Sequence, residues 1–151
     1  MKIWAGLAAA TMAAAITAGV AWAQQNPIEA RQKLMKANGR EATLVAKMAK
    51  GELPYDAKKV SAAFDQWEKT AKEFGKLFPE NSKTGGDTRA LPKIWTDRAE
   101  FDKHLAAFGK DVTAQKAKAT SGLDGLKQAM TIVGKDCKGC HDEFRAAEKK
   151  K

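Results

Sequence analysis

Cys137 and Cys140 stand three positions apart and His141 follows at once, in the run Cys137-Lys138-Gly139-Cys140-His141. Two thiols at this spacing can each add to one vinyl group of a porphyrin as a thioether, and the adjacent imidazole is then held under the iron as its proximal ligand. The run is the attachment signature of c-type haem, so it predicts one covalent haem c with His141 as an axial iron ligand. Only these two cysteines occur, and none remains for a disulfide. Other readings exist. A thioredoxin-like redox pair belongs beside a β-α-β pattern, and no strand pattern is found in this sequence. Structural zinc wants four ligands, and the one further histidine, His104, falls in a different predicted helix. A chance match inside an ordinary helix is the third alternative.

The elements that must position these residues read as four helices. Asn26 can cap the first, Pro27 suits its first position and Glu29 completes a capping box; Gly51 stops it after about Lys50. The second opens at Asp56 and places Val60, Ala63, Phe64, Trp67, Ala71 and Phe74 on one apolar face, ending near Leu77 before Pro79. Asp97 and Glu100 read as the capping pair of the third, whose stripe is Phe101, Leu105, Phe108 and Val112. Ser121 and Asp124 open the fourth in the same manner. Its face carries Leu123, Leu126, Met130, Val133, Cys137, Cys140 and Phe144, so the thiol pair lies inside the last helix and is expected to project toward the core. Four amphipathic helices without strands predict an all-α fold, an antiparallel four-helix bundle with covalently bound haem c. One connection, Pro79 to Pro92, is longer than usual and turn-rich, with Asn81, Gly85, Gly86 and Asp87.

Ahead of the helices, Met1 to Ala23 reads as a secretory signal: Lys2 is its positive region, Ile3 to Val20 is uncharged and alanine-rich, and Ala21-Trp22-Ala23 fits the small-x-small cleavage rule. An uncleaved anchor is the competing reading, since this length just suffices to cross a bilayer. Cleavage leaves residues 24–151 as a single domain, and export places it in the periplasm, where covalent haem attachment is carried out. Lys2 is the sole charge of the segment, so the mature chain keeps +8 of the formal +9. That balance points to acidic partners or anionic surfaces. Nucleic acid is not among the expected partners, because the lysines alternate with Asp and Glu along the helices and export removes the opportunity.

A chain of this length with Cys-x-x-Cys-His in its last helix resembles the cytochrome c′ family. The likeness runs through Arg31-Gln32-Lys33-Leu34-Met35, Leu53-Pro54-Tyr55-Asp56, Pro92-Lys93-Ile94-Trp95 and Cys140-His141-Asp142-Glu143-Phe144-Arg145. Within the family, Leu34 to Arg40 and Gly51 to Asp56 look most like the low-spin branch, the soluble cytochromes c-556. The resemblance implies that haem packs among all four helices with His141 below the iron, and that dimers form through the first two helices.

What lies opposite His141 decides the function. Three methionines follow the signal. Met130 is on the haem helix itself and cannot easily reach the far face, and Met48 reads as core or interface filler. Met35 aligns with the family's distal residue and shares one helix face with Arg31 and Gly39. If Met35 binds iron, the centre is His/Met six-coordinate and low-spin, and the protein is an electron carrier. If Met35 only packs above the iron, as the corresponding side chain does in true cytochromes c′, the centre is five-coordinate and takes nitric oxide or carbon monoxide. The likeness to the low-spin branch favours ligation, whereas Arg31 follows the c′ pattern instead.

Arg31 reads as a haem-propionate contact or as a surface arginine. Arg145, one turn after His141, resembles the family's basic residue near the proximal imidazole, or else pairs with Asp142 or Glu148. His104 is expected to be exposed rather than a ligand. Lys135 and Lys138 bracket Cys137 and could steer redox proteins with acidic docking surfaces. Trp67 and Trp95 read as core. No nucleophile-base pair or phosphate-cradling loop is found, so no enzyme activity is expected.

Overall fold

The computed structural model describes residues 26–147; the expected signal segment, and Glu148 as a partner for Arg145, lie outside them. Four long helices account for the architecture: α1 (Pro27–Ala49), α2 (Ala57–Glu73), α4 (Arg98–Thr120) and α5 (Leu123–Phe144), with a single short turn of helix, α3 (Lys93–Thr96), before α4. No helix among the described residues is long and apolar enough to cross a membrane.

Local chemistry sets most of the boundaries. Asn26 Oδ1 accepts from Ile28 N at 3.0 Å, with Pro27 in the first turn of α1. At the other end the chain reverses at Gly51, whose φ of +78° is strained for any side-chain-bearing residue. Asp56 Oδ1 then accepts from Lys58 N and Lys59 N at 2.9 and 3.1 Å to open α2. Beyond Glu73 the coil tightens into a 3₁₀ turn over Phe74–Leu77, which carries the apolar face to the predicted end. Two expected caps are not formed. Asp97 makes no side-chain cap, and α4 begins on backbone bonds alone. Ser121 Oγ turns back to Lys118 O at 2.8 Å and so closes α4, leaving Gly122 at the start of α5.

The four helices run alternately up and down, each touching two neighbours around a square: α1 with α2, α2 with α4, α4 with α5, and α5 with α1. Asn38 of α1 meets Gln66 and Thr70 of α2, while Gly109 and Ala71 pack α4 against α2 so closely that a Cβ at 109 would lie 3.0 Å from that of Ala71. The α4–α5 turn is closer still: a Cβ on Gly125 would stand 2.0 Å from Lys118 O.

The core divides into two. One cluster fills the body of the bundle with Val45, Met48, Val60, Phe64, Trp67, Phe108, Val112, Leu126 and Val133. The other, at the end where α1 begins and α5 finishes, is aromatic: Phe74, Phe78, Phe101 and Phe144, with Ile94. Phe78 meets Phe101 edge-on at 4.9 Å and Phe101 meets Phe144 at 5.3 Å. Residues 78–97, which connect α2 to α4, form this end, and Trp95 packs on Phe78 and donates to the Phe78 carbonyl at 3.0 Å.

Candidate functional site

Helical spacing puts Cys137, Cys140, His141 and Phe144 within two turns of α5, one turn or less apart. They do not all face inward as the apolar stripe predicts. Phe144 is buried and Cys140 and His141 are half-buried, but Cys137 is exposed, since the 100° step per residue carries it round the helix to the edge of the stripe. Both thiols are free. Burial pushes the Cys140 thiol up to about 11, and the Cys137 thiol is raised by desolvation of its sulfur and by Asp136 beside it. A redox dithiol needs the opposite, a lowered pKa that supplies thiolate. Both shifts run the other way.

His141 is held in its neutral form. Burial, and then the positive charges of Arg145 and Arg89, lower its pKa, with Asp142 opposing them. A neutral imidazole offers a lone pair to a metal, so the site is matched to ligation without proton loss. Arg145 itself is exposed and extended; its backbone bridges Ala90 and ties the end of α5 to the connection before α3. Asp142 pairs with Lys138, which takes that lysine out of the free rim expected around Cys137.

Met35 comes from α1 and Cys140 from α5, yet both lie half-buried against the same aromatic cluster, together with Leu34, Leu77 and Leu105. Met35 and Cys140 are covered only in part. The partial cover sits where the Met35 thioether and the Cys140 thiol meet that cluster, beside the α5 turns that also carry Cys137 and His141. That donor set and that apolar setting fit a covalent porphyrin with iron. Met48 is 1% exposed and Met130 packs on the other cluster, so neither lies at this end.

Arg31, one turn before Met35, is not a surface arginine: it is 4% exposed. Nη1 donates to Leu77 O and Ser82 Oγ, and Nη2 to Ser82 O and Thr88 Oγ1 at 2.7 Å. The guanidinium also lies 4.7 Å from the Phe78 ring. One turn after Met35, Asn38 Oδ1 accepts from buried Thr70 at 2.8 Å. Met35 is thus framed by two polar anchors, one to the connection and one to α2. Sequence reasoning found Arg31 by its place in a familiar run but had no signal for Ser82, Thr88 or Thr70, which are distant in the chain.

His104 also differs from expectation. It is half-buried, its Nε2 3.1 Å from Glu143 Oε2 and its ring edge-on to Phe144 at 5.5 Å. It rests on Gly139 within the thiol motif, where a Cβ would lie 3.6 Å from His104 Cε1.

A family model described as cytochrome c′ matches residues 26–145. The chain is similar to a cytochrome c-556 of Rhodopseudomonas palustris, 43% identical over 88% of this chain and 91% of the relative. It is also similar to a cytochrome c′ of the same organism, 39% identical over 85% and 87%. Among solved structures, an NMR-validated structural model of oxidised R. palustris cytochrome c556 superposes with a TM-score of 0.76 over 83% of this chain and 99% of that one. The R. palustris cytochrome c′ superposes at 0.78, 38% identical, over 84% and 100%. A four-helix bundle ending in Cys-x-x-Cys-His, matched from residue 26 to 145, places this chain in the cytochrome c′ family, as a c-type cytochrome with one covalent haem c.

Proposed function

We infer that the protein is a periplasmic electron carrier in which Cys137 and Cys140 hold the haem as thioethers and His141 and Met35 are its axial ligands. The observation that carries this reading is the shared setting of Met35 and Cys140, brought from opposite ends of the sequence to one aromatic cluster. When bound, a His/Met-ligated haem iron exchanges one electron with little rearrangement, and thioether ligation raises its potential. The protein's own residues supply the rest. His141 is kept neutral by burial and by the nearby arginines. Phe101 and Phe144 exclude water from beneath Cys140. Arg31 and Asn38 fix the turns of α1 on either side of Met35.

Relatives named cytochrome c-556 and cytochrome c′ both match, so the spectrum of the holoprotein is the deciding measurement. A methionine-to-ferric-iron charge-transfer band in the oxidised protein, abolished by Met35→Ala, is the expected result. A high-spin ferric spectrum in the unaltered protein, with ready carbon monoxide uptake on reduction, overturns ligation by Met35 and replaces the carrier by the five-coordinate, nitric oxide- or carbon monoxide-binding alternative. The basic charge supports redox partners with acidic docking surfaces; the rim on that side rests on Lys135, because Lys138 is paired. A homodimer through α1 and α2 belongs to the same reading and is checked by sedimentation.

A further inference from the structure

Behind the thiol motif, on the seam between α4 and α5, three side chains bring potential ligand atoms close together. Glu100, His104 and Glu143 each place an oxygen or nitrogen within 4.8 Å of the others. His104 Nε2 lies 3.1 Å from Glu143 Oε2 and 3.8 Å from Glu100 Oε1. In four-coordinate zinc, bonds of about 2.1 Å set ligand atoms roughly 3.4 Å apart, and the observed spacings bracket that value. We propose that Glu100, His104 and Glu143 form a second metal site, separate from the haem, for a divalent ion of the zinc class.

Each ligand is held from outside the triad. The His104 imidazole is fixed between the edge of Phe144 and the bare backbone face of Gly139. Glu143 sets Oε2 beside His104 Nε2, while Lys93 of α3 pairs with its other oxygen, Oε1. Glu100 stands four residues before His104 on α4, so the helix itself presents the two side by side. One imidazole with two carboxylates suits zinc, nickel or copper better than calcium or magnesium, which prefer oxygen alone. Three protein ligands leave the fourth position to water or a further ligand. The chain has only two histidines, and the haem claims His141, so imidazole-dependent metal binding by the holoprotein passes through His104. Lys93 on Glu143 and Lys103 on Glu100 neutralise the two carboxylates, and their charge opposes an incoming cation.

The test is titration of the holoprotein with zinc chloride by calorimetry, in the wild type, His104→Gln and Lys93→Met. The expected result is one zinc per chain, weakened about 100-fold by His104→Gln and tightened about tenfold by Lys93→Met, with excess calcium failing to compete. Wild type and His104→Gln binding zinc equally, no zinc bound at millimolar concentration, or weaker binding by Lys93→Met would each overturn the site. Should His104→Gln fail to fold, the Lys93→Met arm decides alone. The readout is zinc stoichiometry and affinity, so it stands or falls independently of whether Met35 ligates the haem iron.

Discussion

Arg31 of α1 grips Ser82 of the connection between α2 and α3 by two hydrogen bonds, Nη1 to the hydroxyl at 3.1 Å and Nη2 to the carbonyl at 3.0 Å. The residues that enclose the aromatic end of the bundle are thereby tied to the helix turn just before Met35. A planar fork reaches the hydroxyls and carbonyls of Leu77, Ser82 and Thr88 together, which a point charge on a flexible stem cannot do.

Arg31→Met is therefore expected to cost about 3 kcal/mol, because the buried Ser82 carbonyl and the Leu77 and Thr88 acceptors lose the guanidinium, although the Ser82 hydroxyl keeps its bond to Pro79 O. Arg31→Lys should recover little of this. Urea unfolding midpoints of the three proteins check it, and equal midpoints for arginine and lysine would refute the fork argument.

Gly125→Ala should destabilise the bundle by about 1–3 kcal/mol, even though alanine is the better helix former. The atom met by the new methyl group is the Lys118 carbonyl, part of the backbone, so a side-chain rotation cannot relieve the clash. Thermal melting is the measurement, and a raised melting temperature would contradict it.

Asp136 has one oxygen buried without a hydrogen-bond partner among the described residues. Burial, and next the charge of Asp111, raise its pKa, with His104 partly offsetting them. As pH rises, the unfolded chain releases this proton first, so ionisation costs stability in the folded state above the ordinary carboxylate range. Asp136→Asn should then unfold at higher urea than the wild type at pH 7. The advantage should shrink on acidification and vanish below about pH 3.8, where both states hold the proton. A gap unchanged between pH 7 and pH 3 would show that the gain has another source.

Tyr55, in the loop between α1 and α2, donates to Ala119 O at 2.9 Å near the end of α4. Tyr55→Phe should cost about 1 kcal/mol, with the haem spectrum unchanged because this contact lies at the other end of the bundle from Met35. A shifted spectrum would show coupling between the two ends.

Periodicity, with the cap signals at Asn26 and Asp56, made the helices legible. Val60, Phe64 and Trp67 fall on one stripe and are buried together, because a 3.6-residue repeat leaves an amphipathic helix no other way to hide them. The attachment chemistry was equally local, since thiols three apart beside an imidazole need no distant partner. The caps expected at Asp97 and Ser121 do not form: a capping side chain competes with turns and neighbouring helix ends, and at Ser121 the preceding helix takes the hydroxyl.

What the chain alone determined, then, is what depends on near neighbours: the helix faces, the stops at Gly51 and Pro79, and the Cys137, Cys140 and His141 motif. Tertiary structure decided the rest. Nothing along the chain links Arg31 to Ser82 and Thr88, Met35 to Cys140, or His104 to Glu143: the connection folds over α1 to reach Arg31, α5 packs beside α1 to bring Cys140 to Met35's cluster, and the α4–α5 hairpin sets Glu143 beside His104. Whether an arginine or a histidine is a solvated surface charge or a buried anchor depends on which distant acceptors the fold sets beside it, because burial of a polar group is tolerated only where such partners exist.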